Sequence, residues 1–477
     1  MRVLLQIRPD YLERPGGDAT QARRTAEELR ALGIAAELRG GVAPDLAGYD
    51  LVHIFNTQEI DDAVRQAIRA RSWGLPVVLS PIYWQPAPFV TGPDASATTI
   101  ANDPLTRAKR ALQRLTLGAA RLLLPNSEAE AAQIAAAFPG LRAAVRVVPN
   151  AVDPRFAAGD GARFCARYDL AARGFVLCAG RKEALKNQLG LIRACADLAL
   201  PLVLAGQETA AAADYLAACH AAADASPAPV LFLPDLPAAE LADAYAAARV
   251  HVQASFYETV GLSSLEAALG GANVVVTANS GAREYLGDTA WYCDPTAPDS
   301  LFEALAAAWS TPPRAGGGGG GGAGGDLAER YSWRRTAEIT ARGYEEVLQM
   351  AESAAQIRWL PELSAAEYIA YLEDLIQLQL EATAFRDQQY GALQGEHRDL
   401  YEEFRALQGL HQEAAATAEA LSAGLAAEAA ERERTEEAFR TLETHTKGQG
   451  DYIAKLEAEL AARPAAPALG RRPWQRS

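Results

Sequence analysis

Positive charge is in short supply: 45 lysines and arginines stand against 60 aspartates and glutamates, a formal net charge of −15. That balance argues against wholesale nucleic-acid binding and favours solubility. Cysteine is scarce too. Cys165, Cys178, Cys195, Cys219 and Cys293 lie singly at wide spacings with no CxxC pair, so no disulfide or zinc site is expected, and they read as reduced core thiols of a cytoplasmic protein. No D-x-D triplet occurs, and no metal is expected. No apolar run approaches the roughly 20 residues that cross a bilayer, so any membrane contact is expected to be peripheral, at the inner face of the cytoplasmic membrane. The opening MRVLLQIRPDY has an apolar run too short for an export signal and reads as a first β-strand.

Length, by contrast, is ample: 477 residues suffice for two or three domains. Apolar runs at 2–7, 35–38, 51–55 and 77–80 alternate with helical patterns at 18–32 and 59–70, which predicts a parallel α/β sheet. Asp18 and Gln21 have capping-box spacing. Gly16 and Gly17 before them serve either as loop punctuation or as lining of a donor or acceptor site. Residues 81–103 are proline-rich and read as a surface loop beside an acceptor cleft. The helix expected next, at 105–121, carries Arg107, Lys109, Arg110, Arg114 and Arg121 among spaced leucines. It is either an ordinary solvated face or a peripheral dock for anionic lipid or a phosphorylated acceptor.

After short strands at 122–124 and 145–148, the alternation restarts at 175–179 and continues through 202–205, 230–233 and 250–253. Two doubly wound, Rossmann-like domains are therefore expected at 1–165 and 166–330, with ligands beyond the C-terminal strand ends. A helix at 331–350 would cross back to the first domain. The glycine run at 314–326 is expected to be flexible. Beyond it, a heptad seam that includes Tyr371, Leu375, Leu378, Leu393, Leu400 and Leu407 predicts a coiled coil over 360–463, with self-association or partner binding through 364–460. Residues 464–477 read as a disordered tail.

The stretch 254–281, ASFYETVGLSSLEAALGGANVVVTANSG, gathers the most chemistry. It reads as strand end, loop, short helix and strand, with Glu258 and Glu266 eight residues apart and Gly261 at the loop-to-helix turn. A helix N-terminus binds anions through unpaired amides, here near Leu262 and Ser263, so a phosphate-bearing ligand fits, with the carboxylates on hydroxyls at its ends. Arg181, just past Gly180, and Lys186 could supply cations to the same phosphate, one as a fork and one as a point charge. Taken singly, Arg181 and Lys186 read equally as surface charges, Glu266 as a helix-face acid and Asn150 as a turn former.

Taken together, three segments in register resemble the retaining GT-B glycosyltransferases of group 1, the GT4 family. Gly180-Arg181 with Lys186-Asn187 is similar to a G-R-x4-K-G/N segment, Glu258 to Glu266 to an E-x7-E signature, and Pro149-Asn150-Ala151-Val152-Asp153 to an interdomain P-N-G-V-D with Ala151 in the glycine position. The resemblance spans about residues 2–348. It implies the GT-B fold, α/β with two Rossmann-like domains facing a cleft, to which the coiled coil is appended. It also implies a hexosyltransferase-type enzyme that moves a sugar from a nucleotide-diphosphate sugar to a glycan or lipid-linked acceptor in bacterial surface-glycan synthesis, without a cofactor.

By that resemblance Arg181 and Lys186 hold the donor diphosphate, Glu258 the sugar and Glu266 the ribose, while Gly180, Asn187, Gly261 and Leu262 complete the donor site. It further implies a histidine near the sugar, soon after the fourth strand. Here 79–83 reads Leu-Ser-Pro-Ile-Tyr, and no histidine lies between His53 and His220. His53, on a strand expected to face the cleft, is then the catalytic candidate, or the donor phosphate takes the proton. The missing histidine supports an alternative, an inactive GT-B scaffold acting through its coiled coil; the intact set Arg181, Lys186, Glu258 and Glu266 counts against it.

Overall fold

The computed structural model describes residues 1–43, 45–85, 104–208, 212–313 and 323–351. Two parallel six-stranded sheets organise them. The first joins β1 (Arg2–Ile7), β2 (Ala35–Gly40), β3 (Leu51–Phe55), β4 (Val77–Ser80), β5 (Leu122–Leu123) and β6 (Ala144–Val145) in the order β2-β1-β3-β4-β5-β6. The second joins β7 (Val176–Ala179), β8 (Leu202–Ala205), β9 (Val230–Leu233), β10 (Val250–Gln253), β11 (Asn273–Thr277) and β12 (Trp291–Cys293) in the order β12-β11-β10-β7-β8-β9. Every residue of β3, β4, β7, β8, β10 and β11 is buried, because helices cover both faces of a parallel sheet. The order reverses between β1 and β3 in one sheet and between β7 and β10 in the other. In such sheets ligands bind at that reversal, beyond the C-terminal strand ends.

The helix Trp333–Ala351 lies on the first sheet, where Ala337, Tyr344 and Val347 share a core with Val3, Leu5 and Leu29. Polar contacts reinforce the packing. Arg146 grips Glu346 at 2.5 and 2.7 Å, and the Thr336 hydroxyl donates to the Pro149 carbonyl at 2.7 Å. All five cysteines are buried thiols.

Three expectations change. The Asp18–Gln21 capping box does not form: the helix Gly17–Ala31 starts after Gly16 with no side-chain cap, because Asp18 turns to the buried Arg8 and Gln21 pairs its amide with Asn126. The end of the glycine run is helical, in Ala323–Arg330, where Leu327 enters the second core; residues 314–322 lie outside the described residues. On the helix Pro104–Ala119, Arg110 and Arg114 donate to the Ala137 and Pro139 carbonyls at 2.9 and 3.0 Å. Cations at a helix C-terminus satisfy its last carbonyls and oppose its dipole, so these two serve the end of Glu128–Ala137. The Arg107 side chain, the loop from 86 to 103, the coiled coil at 360–463 and the tail at 464–477 lie outside the described residues.

Candidate functional site

A cleft of about 410 Å³ opens at the C-terminal ends of both sheets. Gly180, Arg181 and Lys186 enter it after β7, Gln253 and 257–263 at and after β10, Gly16, Gly17 and Asp18 after β1, and Asn56, Gln58, Ile82 and Trp84 after β3 and β4. Both order reversals therefore meet at this cleft.

Its second-domain wall is an ionic cluster. Lys186 Nζ lies 2.5 Å from Glu258 Oε1, the same oxygen that accepts from Ser255 Oγ at 2.7 Å and Gln253 Nε2 at 2.8 Å. Burial alone would raise the Glu258 pKa, but Lys186 and these donors hold it below the usual carboxylate range. Among the described residues Oε2 has no hydrogen-bond partner, which leaves it as an acceptor for ligand hydroxyls. Gln253, only 2% exposed, also accepts from Ser263 Oγ at 2.9 Å and so ties the carboxylate to the next helix. Arg181, 34% exposed, pairs with Glu183 at 3.1 Å and offers its guanidinium at the rim. Beneath it β7 and β8 end very close together: a Cβ on Gly206 would fall 1.9 Å from the Gly180 carbonyl oxygen.

Gly261 adopts φ +77°, a left-handed conformation that suits glycine, and begins the helix Leu262–Leu269. The first amides of a helix have no intrahelical acceptor, so those of Leu262 and Ser263 are available at the cleft. The helix Gly17–Ala31 starts on the opposite wall, and a Cβ on Gly17 would sit 3.8 Å from Leu262 Cδ1. Two helix N-termini and two cations thus bring positive potential to one space, which suits an anion such as a diphosphate.

Three candidates from the sequence do not line the cleft. Glu266 lies one helical turn further, half-buried, accepting from Tyr245 Oη at 3.0 Å; burial pushes its pKa up to about 8, so at neutral pH it is chiefly protonated and can both donate and accept. Asn187 caps Gln188–Asp197 in a left-handed conformation, and its amide donates to the Pro295 carbonyl at 3.3 Å. His53 is a correction. It sits in mid-strand, 1% exposed, with Nδ1 2.6 Å from Tyr344 Oη and Nε2 2.9 Å from Ser80 Oγ. Strand alternation puts it on the side of Leu51 and Phe55, which share the core of Tyr344, rather than at the cleft. Burial lowers its pKa to about 3 and keeps it neutral.

The first-domain wall holds Gly16 and Gly17, read from the sequence as possible lining, and Ile82 and Trp84 from the start of the 81–103 loop, beside Asp18, read only as a cap, and Asn56 and Gln58, which no motif singled out. Asp18 is held below its usual pKa by Arg8 at 2.9 Å, against the opposing effect of burial, and accepts from Asn56 at 3.0 Å. Trp84 stacks on Tyr257 with centroids 5.2 Å apart, and Tyr257 Oη donates to the Tyr83 carbonyl at 3.1 Å. The two domains also meet where Glu284 accepts from the Glu128 and Ala129 amides at 2.8 and 2.7 Å, and where Tyr285 Oη donates to the Asn126 carbonyl at 2.5 Å. For Asn56 on this wall and Gln253 on the other, the only local signal was a polar residue at or just after the end of a strand.

Two Rossmann-like domains with parallel six-stranded sheets, facing each other across a cleft, constitute the GT-B fold. Residues 171–315 match the family model of glycosyl transferases group 1. Sucrose-phosphate synthase from Thermosynechococcus elongatus is similar at a TM-score of 0.53 and 17% identity, covering 75% of this chain and 99% of that one. HepE from Anabaena, in complex with UDP-glucose, is similar at 0.52 and 16%, over 74% of this chain and 99% of its own. The N-terminal domain of trehalose-6-phosphate phosphatase from Candida albicans reaches 0.52 at 9% identity, over 72% and 97%. At these identities the likeness is one of fold. No curated protein matches the chain.

Proposed function

We propose that this chain is a retaining hexosyltransferase of the GT4 type, which moves a sugar from a nucleotide-diphosphate sugar to a hydroxyl of a glycan or lipid-linked acceptor in surface-glycan synthesis. The observation that carries this reading is the Lys186–Glu258 pair, set beside Arg181 and the Gly261-headed helix at the reversal between β7 and β10. Breaking a glycosyl–phosphate bond develops negative charge on the leaving diphosphate, and preorganised cations and amides lower that barrier. Arg181, Lys186 and the amides of Leu262 and Ser263 supply them without a metal. Glu258 Oε2 takes hydroxyls of the donor sugar, and Glu266 takes the ribose. With His53 inside the first domain, the departing phosphate oxygen receives the acceptor's proton. The family of residues 171–315, and a fold that holds UDP-glucose in HepE, support this donor class.

Residues 364–460 self-associate or bind a partner in this reading, and sedimentation of the full chain tests that. With Arg110 and Arg114 bound to carbonyls, membrane contact through 105–121 falls to its remaining cations, and co-sedimentation with anionic vesicles measures it. The buried His53 favours a second reading, an inactive scaffold. Incubation with a panel of UDP-, GDP- and ADP-sugars and candidate acceptors, followed by mass and anomeric analysis of products, separates the two. A product with the donor's anomeric configuration is expected. An inverted product sinks the retaining assignment, and no turnover with any donor favours the scaffold.

A further inference from the structure

Two backbone amides from separate segments converge on one buried carboxyl in the first domain. Glu130, 1% exposed in the first turn of Glu128–Ala137, accepts from the Tyr83 amide through Oε1 at 2.8 Å and from the Asn126 amide through Oε2 at 2.7 Å. The helix does not need Glu130 as its cap. Ser127 Oγ already accepts from the Glu130 amide at 3.0 Å, and Glu284 takes those of Glu128 and Ala129. What the carboxyl holds instead is a strained turn: Ile82 has φ +48°, a left-handed conformation costly for a β-branched side chain, which persists only where its surroundings impose it.

That turn faces the cleft. Ile82 and Trp84 line it, the Tyr83 carbonyl accepts from Tyr257 Oη, and the Trp84 ring lies on the Tyr257 ring. Tyr257 directly precedes Glu258, the partner of Lys186. We infer that Glu130 is a positioning residue which, through the turn at 82–84, sets the acceptor wall of the cleft against the donor-side loop at Tyr257 and Glu258. The inference rests on the cleft being the site of transfer. An apolar residue of the same shape would leave two amides without acceptors, and a glutamine would set an NH2 group against a backbone N–H, so a carboxyl is the group that fits.

The test compares the wild-type full chain with Glu130→Gln, Tyr257→Phe and the double variant. Acrylamide quenching of Trp84 is taken as the difference from matched Trp84→Phe chains, with thermal melting and calorimetric titration of UDP alongside. Because both substitutions loosen one path, each is expected to raise the Trp84 quenching constant by about twofold and the double by no more than the larger single effect. UDP affinity should change less than twofold in Glu130→Gln, since Arg181 and Lys186 lie on the other wall. Unchanged quenching in Glu130→Gln, additive effects in the double variant, or UDP affinity lost in step with quenching would each overturn the inference. Should Glu130→Gln fail to fold, Tyr257→Phe decides through the same signal, and no change there overturns it. A wild-type chain that binds UDP no better than Arg181→Ala would instead refute the donor site, while the ligand-free Trp84 measurement still judges Glu130.

Discussion

The two walls of the cleft are built in opposite ways. The second-domain wall draws on two short segments: residues 180–186 and 253–263 supply the cations, the carboxylate, the bridging amide and the helix start, and the 72 residues between Lys186 and Glu258 are closed by setting β7 beside β10. The first-domain wall is gathered from several separate segments, with Asn56 reaching Asp18, Glu130 reaching Tyr83 and, from the other domain, Tyr257 reaching Tyr83. On the proposed reading, charges that meet one diphosphate are held on two adjacent strand ends, whereas a wall that shapes an acceptor site can draw on any neighbour the fold provides. Damage to the second wall should therefore stop the chemistry, and damage to the first should reshape or destabilise it.

The largest effect expected is that of Arg181→Ala. Its guanidinium is a third exposed and pairs only with Glu183 among the described residues, so turnover should fall about 10³-fold with little change in melting temperature. Unchanged steady-state turnover would remove the distinction between the walls. Lys186→Ala comes next, because it strands Glu258 in a buried site; a cost of about 3 kcal/mol is expected by denaturant unfolding, with most of it regained in Lys186→Ala/Glu258→Gln. The pH dependence has a definite sign. Glu258 has a depressed folded pKa, so its stabilisation is complete above the unfolded value near 4.5 and is lost as pH falls through the folded value. The variant should therefore lose the wild type's acid-sensitive increment.

Gly206→Ala tests the scaffold beneath the ionic cluster. With φ +149° and a Cβ falling 1.9 Å from the Gly180 oxygen, the two strand ends must part, at a cost of about 2–3 kcal/mol in thermal or chemical unfolding. On the first-domain side, His53→Asn should cost about 1–2 kcal/mol through its lost hydrogen bonds and leave the shape of the pH–rate profile unaltered. Its folded pKa of about 3 lies below the unfolded 6.5, so its stabilisation is full above 6.5 and fades as pH falls toward 3. The stability gap between wild type and variant should narrow over that interval, and a shifted pH–rate profile would return His53 to the catalytic set. Arg114→Ala is the smallest change: less than about 1 kcal/mol, from one helix-terminal contact.

The same contrast governs how much could be read before the structure. Strands were legible because parallel sheets bury both faces, so β3, β8 and β10 appear as unbroken buried runs. The ionic cluster was legible in part: Arg181, Lys186, Glu258 and Gly261 stand at recognisable spacings, but the roles of Gln253 and Ser255 emerge only when Glu258 folds back over the end of β10. Asp18 misled because its local signal, a cap, lost to Arg8, a buried cation that needs a counter-charge. His53 misled because strand position does not say what covers the face; the decisive partner, Tyr344, lies 291 residues away on the returning helix. Glu130 gave no signal, since an acid in the first turn of a helix is ordinarily a favourable surface charge.

The most direct measurement is calorimetric titration of UDP-, GDP- and ADP-sugars into the wild-type chain and Arg181→Ala. One nucleotide sugar should bind the wild type and lose about a hundredfold in affinity, or roughly 2.7 kcal/mol, in the variant. Equal affinity in both chains, or no binding by any donor, would contradict the assignment of Arg181, Lys186 and the Gly261 helix to a diphosphate.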